Sequence, residues 1–398
     1  MRPYPAKVLI STLPLWGGGV SVKTRFAVEM LRSRGVEPVL AYYRPYGMDP
    51  SLSVPSYRLL TRRVSMKRVE VLDGVEAYEI GAWLPELEFT HYLPTIHWRA
   101  LLDRFPVGMA ISGSPLAALP YARTGRDFLL WVASPWMADR QDRVREFPWA
   151  RRLLDAAVIR GVARSFERKI LHSGRILALS EYTRSSLDQL AGRRVVRNVL
   201  PMPVDIVRFC PRPNAVVTGR IAFLGRFNDP RKNIGLLLRS LRECLDAGAK
   251  VTGLLIGAEP SESVVSLIAS LSLEGVVETR ASVATPELAE LLSTVDVFVL
   301  PSHQEGLCIA ALEAMACGCP IVSTRCGGPE EFVVDGETGR LVPAEPSALT
   351  ERILEIVGDR FLRARLSEGA RAMVVSRYRR EISERVFWSA WDAMIGAA

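Results

Sequence analysis

The segment LPSHQEGLCIAALEAMACGCPIV, from Leu300 to Val322, constrains this chain most. It reads as the end of a buried strand, a turn, and the start of a helix. Glu305 stands where the strand ends, just before Gly306, and Glu313 follows about two helical turns on, near the same angular face. A helix N-terminus in that position presents unpaired backbone N–H groups and a partial positive charge, which favour a phosphate. Two acids on one side of such a helix suit sugar and ribose hydroxyls, so one element can touch every part of a nucleotide sugar.

The same grammar recurs along the chain. KVLIS (7–11) reads as a buried strand, followed by a loop through Gly17, Gly18 and Gly19. A helix from about Val20 to Arg34 follows, and then a strand over Pro38–Ala41. Strand, loop, helix and strand in that order predict a parallel, doubly wound sheet. Residues 44–68 show no clear period and read as a long excursion. Further strands are expected over 108–112, 128–133 and 176–179, with a helical period over 150–171. Four prolines in VLPMPVDIVRFCPRP (199–213) mark a connection between domains. Beyond it helices are expected over 233–245, 261–271 and 286–292, and strands from 220, over 251–256, 276–279 and 297–301. Thr285 reads as an N-cap before Pro286. At 398 residues the chain is too long for one ordinary core. The expected domains are 1–200, 201–378, and a C-terminal helix over 379–398. Ligands of such sheets bind outside the carboxyl ends of the strands, where the main motifs fall.

Composition excludes several classes. No apolar run approaches the roughly 20 residues that span a bilayer. The N-terminus reads as a first strand and not a signal peptide, so a cytoplasmic location is expected. All six cysteines lie in the second half without zinc-like spacing, and read as buried free thiols of a reducing compartment. Residues 1–200 carry 30 Lys and Arg against 18 Asp and Glu, a net +12; the remaining 21 and 25 give −4. The excess is dense between Arg140 and Lys169, around Trp136 and Trp149. Such a face suits a pyrophosphate-bearing acceptor or an anionic membrane surface, or is simply solvated. No motif of a nucleic-acid-binding module is present.

The segment around Glu305 and Glu313 resembles the EX7E signature of retaining glycosyltransferases of family four, glycosyl transferases group 1. The resemblance extends through TRCGGPEEFVVDGETGRLVP (324–343), LGRFNDPRKNIGLLLRSL (224–241), LALSEYTRSSL (177–187) and WGGGVS (16–21). It implies a GT-B fold, two Rossmann-like domains facing across a cleft, with the C-terminal helix crossing back to the first. It implies a nucleoside diphosphate sugar as co-substrate and an acceptor hydroxyl on a glycan, glycolipid or small molecule. No metal is expected.

Each motif has a chemical reading. The diphosphate left behind gathers negative charge on its β-phosphate, which preorganised cations stabilise in the transition state. Arg226 and Lys232, six residues apart on a strand-to-helix loop, are the cations the resemblance assigns to it. Cations at a helix start are otherwise disfavoured by the dipole. Gly18 or Gly19 would let backbone approach the donor phosphate or acceptor. The glycines lack the GxGxxG spacing of a dinucleotide fold, and no acid ends the second strand, which disfavours a dehydrogenase. Glu313 would bind the ribose hydroxyls, Glu305 would face the donor sugar, and backbone N–H groups of Gly306, Leu307 and Cys308 would line sugar and phosphate. The resemblance also implies retention by front-face attack, since the family has no agreed nucleophile.

Two departures from the family pattern stand out. Ser134 or Trp136 occupies the approximate place of a histidine common after the strand FLLWVAS, and Pro203 stands where the connecting segment often has glycine. Among the other histidines, His303 lies beside Glu305, while His91 and His97 flank a possible acceptor loop without metal spacing. An epimerase on the same fold and a non-catalytic nucleotide-sugar-binding protein are the rival readings.

Overall fold

The computed structural model describes residues 4–396 other than 16, 17, 73, 106, 146 and 213, and only the backbone of 139 and 141–143. The chain forms two compact units, Met1–Pro201 with Glu384–Ala398, and Met202–Ser383. Each is built on a largely parallel sheet covered by helices, in the Rossmann-like manner.

The first unit contains β1 (Lys7–Thr12), β2 (Glu37–Tyr43), β3 (Met66–Val71), β4 (Val75–Ile80), β5 (Val107–Ser112), β6 (Asp127–Val132), β7 (Arg175–Ala178) and β8 (Val196–Val199). Their order across the sheet is β3-β4-β2-β1-β5-β6-β7-β8. Leu9 of β1 pairs with Val39 on one side and Gly108 on the other. Val8, Leu9 and Ile10 are fully buried, as befits a strand covered on both faces. Strand order reverses between β1 and β5, which puts the ends of these two strands at the switch point. Beneath it Lys23 is wholly buried and donates to the Ser112 carbonyl at 2.7 Å; burial pushes its pKa down to about 7. Near the C-terminus, Phe387 meets Phe26 edge-on and the Arg34 guanidinium lies 3.8 Å over the Trp388 ring.

The second unit contains β9 (Arg220–Leu224), β10 (Thr252–Ile256), β11 (Val277–Arg280), β12 (Val297–Leu300), β13 (Ile321–Thr324) and β14 (Gly339–Val342), in the order β11-β10-β9-β12-β13-β14. All pairs are parallel. The reversal lies between β9 and β12, so the loops after Leu224 and Leu300 leave the sheet side by side.

Four expectations change. Within the 44–68 excursion and beyond, β3 and β4 form a hairpin, antiparallel to each other while β4 runs parallel to β2. The first-unit helix begins at Gly18, with φ +77°, and runs to Ser33, so Gly18 and Gly19 belong to its first turn and not to a loop. Thr285 is already helical and makes no side-chain cap; Pro286 has no N–H to leave unpaired, so the chain turns one residue earlier. The helix after β12 starts only at Ile309, so Glu305 does not share its face with Glu313.

Candidate functional site

After β9 the chain passes Gly225 and Arg226 to a 3-10 turn over Pro230–Lys232. Asp229 caps this turn by accepting from the Arg231 N–H. The turn delivers Lys232 to Glu305, with Nζ donating to Oε1 at 2.6 Å. The Ser302 hydroxyl donates to the same oxygen at 2.7 Å, and an Arg231 nitrogen lies 4.0 Å from Oε2. The two loops are tied by the His303 N–H donating to the Arg231 carbonyl at 2.8 Å. Burial opposes the charge on Lys232, but Glu305 outweighs it and holds the ammonium pKa above its ordinary value. The nearly buried ammonium is therefore charged, and good geometry holds it against Glu305.

A third loop fixes Glu305 from the far side. Its N–H donates to the Cys326 carbonyl, and its carbonyl accepts from Gly328. A Cβ at Gly328 would stand 2.2 Å from the Gly306 carbonyl oxygen, so only glycine permits this approach. Leu307 is buried, Gly306 half-buried, and Cys308 holds φ +70°, an unfavourable backbone for cysteine. Strain of this kind collects at functional sites. Burial, with the Glu305 charge, pushes the Cys308 thiol up to about 12, so it is neutral and no nucleophile.

Glu313 lies within the helix Ile309–Ala316, and its carboxyl, unlike that of Glu305, has no hydrogen bond or ion pair among the described residues. Burial raises its carboxyl to about 7. Below the ordinary value of 4.5 it is neutral in both the folded and unfolded chain. Between 4.5 and 7 only the unfolded chain has lost the proton, so stability falls as pH rises, and the full cost stands above 7. Glu313→Gln is therefore expected to stabilise the fold by on the order of 2 kcal/mol at about pH 8 and hardly at all near pH 4.5. Equal denaturation midpoints for variant and parent at the higher pH would contradict this.

Lys232, Glu305, Gly306, Leu307 and Cys308 are thus brought together, with Glu313 on the helix that follows. Arg226 is not drawn in: its side chain is 73% exposed and reaches only Asp229, at 3.4 Å. Gly18 and Gly19 belong to the other unit, and Trp16 and Gly17 lie outside the described residues. Sequence reasoning missed Arg231, Ser302 and Gln304. The last is buried with its amide Nε2 unpartnered. The adjacency of Arg231 to Lys232 was the available signal. No group of three or more His, Cys, Asp or Glu among the described residues could hold a metal ion.

The first unit has a separate cavity of about 360 Å³, lined among others by Glu88, His91, Tyr92, Ser112, Ser114 and Trp136. The His91 ring stacks on Tyr43, 3.9 Å between centroids, and burial holds its pKa below the ordinary value, so it is neutral at pH 7. Of the two residues near the expected histidine position, Ser134 is buried and donates its N–H to the Gly113 carbonyl. The Trp136 N–H donates to the buried Glu167 carboxylate at 2.7 Å.

Residues 218–359 match the family model described as glycosyl transferases group 1. The MMP alpha-(1->4)-mannosyltransferase of Mycolicibacterium hassiacum is 32% identical over 235 residues, 58% of this chain and 57% of that protein. The chain spans about half the length of the curated relatives it matches first. Sucrose-phosphate synthase from Thermosynechococcus elongatus superposes with a TM-score of 0.77 at 18% identity, over 98% of this chain and 100% of that one. Anabaena HepE, solved in complex with UDP-glucose, gives 0.69 at 16% identity, over 97% and 99%. At these identities the structural likeness concerns the fold.

Proposed function

We propose that this chain, whose residues 218–359 match the glycosyl transferases group 1 model, is a member of that family and moves a sugar from a nucleoside diphosphate sugar to an acceptor hydroxyl. One observation carries the reading. A nearly buried Lys232–Glu305 pair, joined at 2.6 Å, stands beside Arg231 at the β9/β12 switch point. The unpartnered Glu313 lies on the helix immediately beyond. A nucleotide sugar fits the needs of these groups: ribose hydroxyls donate to Glu313, and a diphosphate takes the positive charge of Lys232 and Arg231. The exposed Arg226, on the same loop, adds a further cation for such an anion. Glu305 Oε1 is engaged by Lys232 and Ser302, which makes Glu305 an aligner of the ammonium; Oε2 is left for a donor-sugar hydroxyl.

In the transition state the charge on the departing β-phosphate is met by cations already in place, at no reorganisation cost. The acceptor hydroxyl enters on the face from which the diphosphate leaves and gives its proton to that phosphate, so the configuration is retained. The first-unit cavity, with an aromatic wall at Trp136 and hydroxyls at Ser112 and Ser114, suits a polyhydroxylated acceptor.

The test is melting temperature against UDP, GDP, ADP and dTDP, each with and without EDTA. A ligand bound only by the folded state raises it by mass action. One diphosphate is expected to give an EDTA-insensitive rise, with UDP tried first because HepE is seen with UDP-glucose. No rise with any of the four, or one that requires metal, would overturn the donor assignment.

A further inference from the structure

The helical run from Trp149 to Ser173, interrupted by a π turn over Asp155–Ile159, has an unusual outer face. Trp149 is 78% exposed, and Leu153, Leu154 and Val158 are exposed with it. Arg151, Arg152, Arg160, Arg164, Arg168 and Lys169 share that solvent side. The only acids between 147 and 169 are Asp155 and Glu167, and both are buried. An open groove of about 650 Å³ crosses this face, lined by Arg145, Trp149, Arg152, Leu153 and Arg160 among others. The Arg152 side chain has no hydrogen bond, ion pair or ring contact among the described residues.

A second segment of the same unit repeats this chemistry. Tyr57, Leu59 and Leu60 are exposed, with Arg58 and Arg63 between and beside them and no acid within 57–63. Eleven of the fifteen large apolar side chains exposed among the described residues lie in the first unit, and so does the entire positive excess of the chain. The two asymmetries coincide, so a solvated arginine face explains only half of the pattern. Cations without exposed acids call for a polyanion. Leucines and a tryptophan among them call for an apolar phase within reach of that polyanion, which a nucleic-acid backbone does not offer. We propose that the face built on Trp149–Lys169, with the Tyr57–Arg63 loop, docks on an anionic lipid bilayer. Trp149, Leu153 and Val158 enter the headgroup level and the arginines meet lipid phosphates. No helix among the described residues is long and apolar enough to cross a membrane, so attachment is to the surface.

The experiment is co-sedimentation of the full chain with phosphatidylcholine vesicles, with and without phosphatidylglycerol. Sedimentation is expected only with phosphatidylglycerol and should weaken as salt is raised. Each exposed arginine near the surface contributes about fivefold. The triple variant R151Q/R152Q/R164Q should therefore bind about a hundredfold more weakly, at an unchanged melting temperature because these side chains are exposed. Trp149→Ala should weaken binding without altering its salt dependence. Equal binding to both vesicle types, or binding indifferent to these changes, overturns the proposal. So does self-association abolished by Leu153→Ser without vesicle binding, which would make the occupant a second copy. Tighter retention by duplex DNA than by the mixed vesicles would overturn it in favour of nucleic acid. The readout does not depend on donor binding, so its failure is separable from failure of the transferase reading.

Discussion

Lys232→Ala is expected to lower turnover by about 10²-fold or more, the effect of losing one preorganised charge at an atom that gathers charge in the transition state. Lys232 is only 12% exposed and is held by a 2.6 Å bond to Glu305, whereas Arg226 is 73% exposed. Its ammonium is therefore in place before the diphosphate leaves. The loss should appear mainly in kcat, because the contact strengthens as the phosphate charge develops. Arg226→Ala should cost less in kcat and more in KM, since its side chain is 73% exposed and reaches only Asp229, at 3.4 Å. Two controls separate chemistry from folding. Removing Lys232 leaves Glu305 buried with Ser302 and a distant Arg231, so the variant should melt lower. Lys232→Arg keeps the charge, but its planar fork does not reproduce a compact ammonium; it should recover stability more fully than turnover. Turnover of Lys232→Ala within about threefold of the parent would remove Lys232 from the catalytic role, since one such contact is worth far more.

That Arg231, and not Arg226, lies near Glu305 shows what the sequence could and could not specify. Both cations stand on one loop between β9 and the next helix, and spacing alone favours neither. What decides is the Asp229 cap: it tightens Pro230–Lys232 into a 3-10 turn and aims Arg231 and Lys232 at the loop after β12. Such a short-range turn bond leaves no periodic trace. Glu305 reads as a site residue in the sequence, but its place was misjudged, because β12 stops at Leu300 and Glu305 is held by a bridge to Gly327 in the loop after β13. Cross-loop pairing cannot be read from either segment alone. The parallel sheets were legible, because doubly covered strands such as Val8–Ile10 and Val297–Leu300 are continuous apolar runs bounded by glycine and polar turns. The β3–β4 hairpin was not, although Asp73-Gly74 between two alternating stretches is a hairpin signal. Charge misled once: Arg140, counted with the basic face, is buried.

Arg140→Ala is expected to cost about 3–5 kcal/mol of stability, the usual result of removing one partner from a buried ion pair. Arg140 is 1% exposed and donates to Asp155, itself fully buried, and to Glu88 at 2.9 Å, while its guanidinium lies 4.5 Å from the Trp136 ring centroid. Without it the Asp155 carboxylate keeps, among the described residues, only Arg160, at 3.8 Å from Oδ2. A carboxylate so stranded must take up a proton or draw water into the core. The deficit should therefore shrink as pH falls, because the folded chain then binds a proton that the unfolded chain binds less tightly. Arg140→Met with Asp155→Asn removes both charges and should recover much of the loss, as replacement of both partners usually does. Denaturant midpoints of the parent, the single and the double variant decide the matter, and a single variant within about 1 kcal/mol of the parent would mean that the cluster is not a structural tie. The same side chains connect function to this tie. Glu88 and Trp136 line the first-unit cavity, and Asp155 opens the π turn beneath Val158. Arg140→Ala at a temperature where it remains folded should therefore also weaken vesicle binding, although Arg140 itself never reaches the surface.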